Sequence, residues 1–168
     1  MEQQTSTPSE ETINPLDSVE DLLNDHNWVY NRMNSDELIV QVTGNACDYR
    51  LLFVWQEHMS ALQFCCQYEM EIHDNNIPAA NAAIMDINSS LWMGHFEIDK
   101  ENRMPAFRHT CLLRGRKDAG NSEYVEDLVD ISLVQCERYH SLFHILSLPE
   151  TAPEDSLSLA LMDTLGES

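Results

Sequence analysis

Leu62-Gln63-Phe64-Cys65-Cys66-Gln67-Tyr68-Glu69-Met70 decides how this chain folds. Leu62, Phe64, Cys66, Tyr68 and Met70 are bulky, whereas Gln63, Gln67 and Glu69 hold the opposite parity. Successive side chains of a strand point to opposite faces, so this stretch predicts a strand with one face in a core and the other in water. Just upstream, Tyr49 to Gln56 is apolar on both parities apart from Arg50 and Gln56. That pattern belongs to a central strand whose second face is covered too. A tail helix or another subunit is the expected cover for Leu52 and Val54.

Two further strand-like runs precede these, and the joints at Asn34-Ser35-Asp36, Thr43-Gly44-Asn45 and Glu57-His58-Met59-Ser60 are short enough for a meander. Before them, Asn14-Pro15 supplies a cap and a first-turn proline for a helix running to about Asp25, with Asp17 and Glu20 in its early turns. Leu16, Val19, Leu22 and Leu23 give that helix one face to bury. Downstream, Ile77, Ala80, Ile84, Ile87 and Leu91 recur at helical spacing over residues 77–92. His95 to Asp99 and Arg103 to Leu113 then read as a hairpin, with Phe107, His109, Cys111 and Leu113 on one inward parity and Gly115 to Gly120 ending it. Ser122 is the expected cap of a long helix to about Ile145, its stripe being Val125, Val129, Ser132, Cys136, Tyr139 and Phe143. Pro153 to Leu165 forms a last amphipathic segment with Leu157, Leu161 and Leu165 four apart.

The order helix, four strands, helix, two strands, helix, helix argues for an α+β fold, an antiparallel sheet packed with helices. Residues 1–13 are polar and Ser/Thr/Glu-rich and are expected to form a disordered tail; 14–150 form the domain, and 151–168 a C-terminal amphipathic helix and tail. A chain of 168 residues with 43% hydrophobic content has material for one core. Its 29 acidic against 9 basic residues give a net charge of −20, which repels phosphate backbones and anionic lipid, so no nucleic-acid or membrane partner is expected. A solvated surface is the ordinary reason for such acidity, and a basic protein client is the other. Met1-Glu2-Gln3-Gln4 lacks the features of a secretory leader, and no stretch has the roughly 18 apolar residues of a membrane span. The expected location is the cytoplasm, with the five cysteines reduced and mostly buried.

Three groups of residues carry candidate chemistry. Cys136, His140 and His144 stand four apart on the long helix, a spacing that can offer a metal three ligands. At about 100° per residue, however, Cys136 lies in the apolar stripe, His140 at its edge and His144 toward solvent, too wide a fan for a tetrahedral site. His95 and His109, with Cys111, suggest a Cys/His pair, but no third orienting residue is evident, and an inward histidine on a strand is ordinarily structural. His95, following Gly94, is expected to tie the helix-to-strand corner to backbone carbonyls. Adjacent Cys65 and Cys66 point to opposite faces and read as packing. Arg108, Arg114 and Arg138 are expected in partly buried ion pairs. The sequence holds no glycine-rich phosphate loop, GxSxG elbow, HExxH pair or EF-hand loop.

Leu91-Trp92-Met93-Gly94-His95-Phe96, Pro105-Ala106-Phe107-Arg108-His109 and Cys136-Glu137-Arg138, taken in order, resemble the YbjN-domain family, bacterial proteins labelled sensory transduction regulators. The resemblance covers residues 14–166 and implies a fold similar to that of type III secretion chaperones. Members match at Cys136-Glu137-Arg138 and usually differ at His140 and His144, which argues against a shared metal. The expectation is therefore a non-enzymatic protein-binding module, chaperone-like or a regulatory adaptor, acting as a small acidic homodimer with no catalytic, cofactor or metal residues. Leu52, Val54, Leu157, Leu161 and Leu165 are its candidate contact residues, and the last helix is a candidate displaceable lid over Leu52 and Val54. Two alternatives stand beside it: a thiol- or metal-dependent enzyme using Cys111 or Cys136 with nearby histidines, and a purely structural scaffold dimer.

Overall fold

The computed structural model describes residues 14–114 and 122–163. In chain order the elements are α1 (Pro15–Asp25), β1 (Tyr30–Arg32), β2 (Glu37–Thr43), β3 (Asp48–Gln56), β4 (Ala61–Tyr68), α2 (Ile77–Ser90), β5 (His95–Ile98), β6 (Pro105–Leu112), α3 (Ser122–Ser147) and α4 (Glu154–Asp163). The predicted elements are all present, at nearly the predicted positions. Asn14 caps α1 by accepting from the Leu16 N–H at 3.0 Å, and Pro15 opens the helix. Ser122 is itself the first residue of α3; residues 115–121, which include the expected Gly115–Gly120 terminator, lie outside the described residues, as do the 1–13 tail and Leu165.

All six strands form one sheet in the order β1-β2-β3-β4-β6-β5, with every neighbouring pair antiparallel. The order departs from a simple meander after β4. The chain leaves through α2, lays β5 at the edge, and returns so that β6 fills the place beside β4. Register places Tyr49 opposite Tyr68, Phe53 opposite Phe64 and Phe64 opposite His109, so the alternation in residues 62–70 runs across the sheet.

Leu38, Val40, Tyr49, Leu51, Phe53, Leu62, Phe64, Cys66, Tyr68 and Phe107 are fully buried on the inner face. The helices cover that face, with the predicted stripes of α1 and α3 buried along with Leu128, Leu142 and Leu146. Aromatic side chains join the layers: Tyr68 meets Phe143 at 5.1 Å between ring centroids, and Phe96 meets Tyr139 edge-on at 5.5 Å. Such pairs add roughly 0.5–1.5 kcal/mol beyond the area they bury.

One buried polar residue fixes the α3–α4 corner. Asn76 Nδ2 donates toward the carbonyls of Leu146 (3.1 Å), Leu148 (3.0 Å) and Glu150 (3.0 Å), while its Oδ1 accepts from the Ala152 N–H at 2.8 Å. The helix end thereby satisfies carbonyls that α3 leaves without intrahelical partners. α4 then lies against α3 with Ala160 buried and Leu157 and Leu161 packed on the core.

Candidate functional site

The second face of the sheet is where the fold leaves apolar surface open. One register row crosses it as Ile39, Leu52, Cys65, Arg108 and His95; the next runs Gln41, Arg50, Gln67, Ala106 and Glu97. A groove of about 280 Å³ lies along these rows, with Ile39, Leu52, Cys65 and Ala106 as its apolar lining and Arg50, Arg108, Gln67, Glu97 and Asp99 around them. Leu52 and Val54 are half-buried, Val54 sitting between Glu37 and Gln63 in the row beyond. Leu112 stands at 69% exposure on the same side of the sheet.

No residue of α4 lines this groove. The terminal helix, expected as a lid over Leu52 and Val54, is held on α3 instead, because Asn76 and the burial of Ala160 commit it to the helical layer. Leu157 and Leu161 accordingly face the core, and the exposed apolar residues of α4 are Leu159 and Met162.

Charges on the open face are mixed. Arg108 Nη1 lies 2.9 Å from Glu97 Oε1, the partly buried ion pair expected for Arg108, and Glu97 holds that guanidinium above its ordinary pKa. Arg50 sits 3.5 Å from Glu69. Cys65 is in the groove, and burial pushes its thiol up to about 12, against the pull of Arg108. A thiol held that high is protonated at neutral pH.

The thiols and imidazoles singled out for chemistry do not converge. Cys136 is buried 3.6 Å from Cys66, and Cys111 donates to the Leu62 carbonyl at 3.5 Å. The Cys66 thiol is held well above its usual range, by its hydrogen bond with Cys136 and by burial. His109 is half-buried on the inner parity opposite Phe64, its pKa lowered by burial and by His95. His95 corrects its expectation: it is exposed, with Nε2 3.6 Å from Glu97. The corner is tied by Asn88 instead, whose amide accepts from the Phe96 N–H at 2.7 Å and donates to the Phe96 carbonyl at 3.0 Å. Gly94 completes it at φ +67°, where a Cβ would lie 2.3 Å from the Phe107 ring. His140 and His144 stack away from Cys136, and among the described residues no three metal-ligating side chains gather.

Glu137 has a role that sequence reasoning missed. Its carboxylate accepts from the backbone N–H groups of Asn45 (2.9 Å) and Ala46 (3.1 Å), pinning the β2–β3 turn to α3. A Cβ on Gly44 would lie 2.2 Å from Glu137 Oε1 and 2.4 Å from the Tyr49 ring, so the turn approaches α3 only because residue 44 has none. Beside it a cleft of about 520 Å³ is lined by Trp28, Val29, Gly44, Leu133 and Glu137 among others. The Tyr49 hydroxyl is buried with no hydrogen-bond partner among the described residues, and burial holds it well above the ordinary phenol pKa.

The family model YbjN, described as "Putative bacterial sensory transduction regulator", matches residues 15–144. The chain belongs to the YbjN family. A solved YbjN structure from E. coli, titled as that of a putative transcription regulator, is 12% identical, with 74% of this chain and 93% of that chain covered at a TM-score of 0.48. No curated protein matches this chain. In this YbjN domain the three motifs build architecture. Leu91–Phe96 makes the Gly94 corner, Pro105–His109 forms most of the strand between β4 and β5, and the Cys136 carbonyl accepts from the buried Tyr68 hydroxyl. Among the described residues no helix is long and apolar enough to cross a membrane.

Proposed function

We propose that this YbjN domain is a non-enzymatic regulatory module that holds a partner protein on the open face of its sheet, over Leu52 and Val54, and that it works as a homodimer. The observation that carries this reading is the groove between Ile39, Leu52, Cys65 and Ala106, on a face that antiparallel sheets ordinarily give to polar side chains. Contiguous apolar surface rimmed by charge is a common mark of a protein contact. The family description as a regulator agrees with it.

The fold also favours one docking mode. Addition of a strand to the β5 edge needs free backbone groups, and Asn88 already takes both from Phe96. At the other edge β1 is three residues long. A partner therefore lies across the face, placing apolar side chains in the groove, while the net charge of −20 draws basic partners in and turns acidic ones away. The homodimer rests on the chaperone-like resemblance alone.

The test compares the wild-type chain with a Leu52→Asp/Val54→Asp variant and with a Leu159→Asp/Met162→Asp variant on α4. Partners retained from bacterial lysate by the wild type and by the α4 variant, but not by the sheet-face variant, support the reading. Equal retention by all three overturns it. Light scattering should give twice the chain mass, and a monomer at micromolar concentration removes the dimer from the proposal.

A further inference from the structure

Two histidines lie outside both the core and the open sheet face, and they lie together. His140 and His144 are one helical turn apart on α3, with ring centroids separated by 5.9 Å and planes within 10° of parallel. His140 is half-buried and His144 exposed. The other described histidines are dispersed: His26 contacts the Leu22 carbonyl and Glu126, His73 accepts from the Asn75 N–H, His95 faces Glu97, His109 sits on the inner side of β6, and His58 is exposed.

Residues four apart on a helix have Cβ atoms about 5–6 Å from each other, a spacing that also serves the paired histidines of helical zinc motifs. From it, two imidazole nitrogens can reach one ion at about 2.0–2.1 Å each. Ring centroids 5.9 Å apart lie close to the Cβ–Cγ axes, so bringing both nitrogens onto one ion takes a rotamer change about a Cα–Cβ bond as well as rotation of the rings. The exposure of His144 leaves room for it. Imidazole selects borderline transition metals over magnesium or calcium. Glu137, one turn earlier, and the strongly acidic chain both raise the local concentration of cations.

We propose that His140 and His144 form a two-imidazole chelate on the surface of α3 for a divalent transition-metal ion such as zinc or nickel, with water in the remaining positions. Cys136, the third member of the spacing, is turned into the core against Cys66 and takes no part. A site with two protein ligands is open and exchangeable, and it is independent of the docking face.

The experiment titrates untagged full-length protein with Ni²⁺ and Zn²⁺, following heat and the histidine ring resonances. One ion per chain is expected, with the signals of His140 and His144 moving first and Mg²⁺ in excess failing to compete. His140→Ala and His144→Ala should each weaken binding by about tenfold or more, whereas His58→Ala should leave it unchanged. Circular dichroism checks that each variant is folded. Absence of binding, survival of binding in the double variant, or first movement of other histidine signals overturns the proposal.

Discussion

At the scale of single residues, the buried polar groups of this protein are the ones that determine where chain segments meet. Asn76 joins three carbonyls at the end of α3 and one N–H before α4, and nothing replaces its amide if it is removed. Leaving such groups unsatisfied costs about 1–3 kcal/mol each where they are buried. Asn76→Ala should therefore destabilise the fold by roughly 3 kcal/mol in denaturant unfolding, with α4 the first segment to lose amide protection. A loss below about 1 kcal/mol would mean that the corner is held by packing alone. The sequence pattern offered no warning of this, because only the return of α3 past Asn76 reveals its partners. The thiols were more legible: Cys66 and Cys136 occupy inward positions of a strand and a helix stripe, and both are buried.

At the scale of elements, the join between the β2–β3 turn and α3 depends on a carboxylate and on a missing side chain. Glu137 accepts two backbone N–H groups, and hydrogen bonds to a charged acceptor contribute about 1.5–3 kcal/mol, less where water competes. Glu137→Ala is expected to cost about 1.5 kcal/mol, and Gly44→Ala about 2 kcal/mol through its collision with Glu137 and Tyr49. Because Glu137 is one of the groups that the new methyl strikes, Gly44→Ala should cost less when Glu137 is already alanine. A double-mutant cycle by chemical denaturation measures this, and additivity within about 0.5 kcal/mol would show that the two positions do not share a contact. Element boundaries were readable from periodicity and turn residues. The insertion of β6 between β4 and β5 was not, since an antiparallel hairpin obeys the same alternation whichever of its strands lies at the edge.

At the scale of the whole molecule, burial shifts a set of weak acids in one direction. Burial raises the thiols of Cys47 and Cys65 and the hydroxyls of Tyr49 and Tyr68, and the hydrogen bond between Cys66 and Cys136, together with burial, raises Cys66. The unfolded chain releases these protons first as pH rises past about 8.5, the ordinary thiol value, so the folded state then binds more protons and its stability falls. The loss deepens above about 10, where unfolded phenols also ionise, and it is absent below the unfolded thiol pKa. Thermal unfolding between pH 7 and 10.5, in salt sufficient to screen the charge of −20, should show a falling midpoint on the alkaline side. A flat profile would mean that these groups are reached by solvent. Read by itself, the sequence determined the α+β class, the elements and the side of each that enters the core, because alternation at two and at three to four residues records local geometry. Tertiary structure alone decided that α4 packs on α3 and leaves Leu52 beside an open groove, that Glu137 braces a distant turn, and that His140 and His144 separate from Cys136. Those outcomes depend on which distant segments compete for the same surface, and a period in the sequence carries no record of that competition.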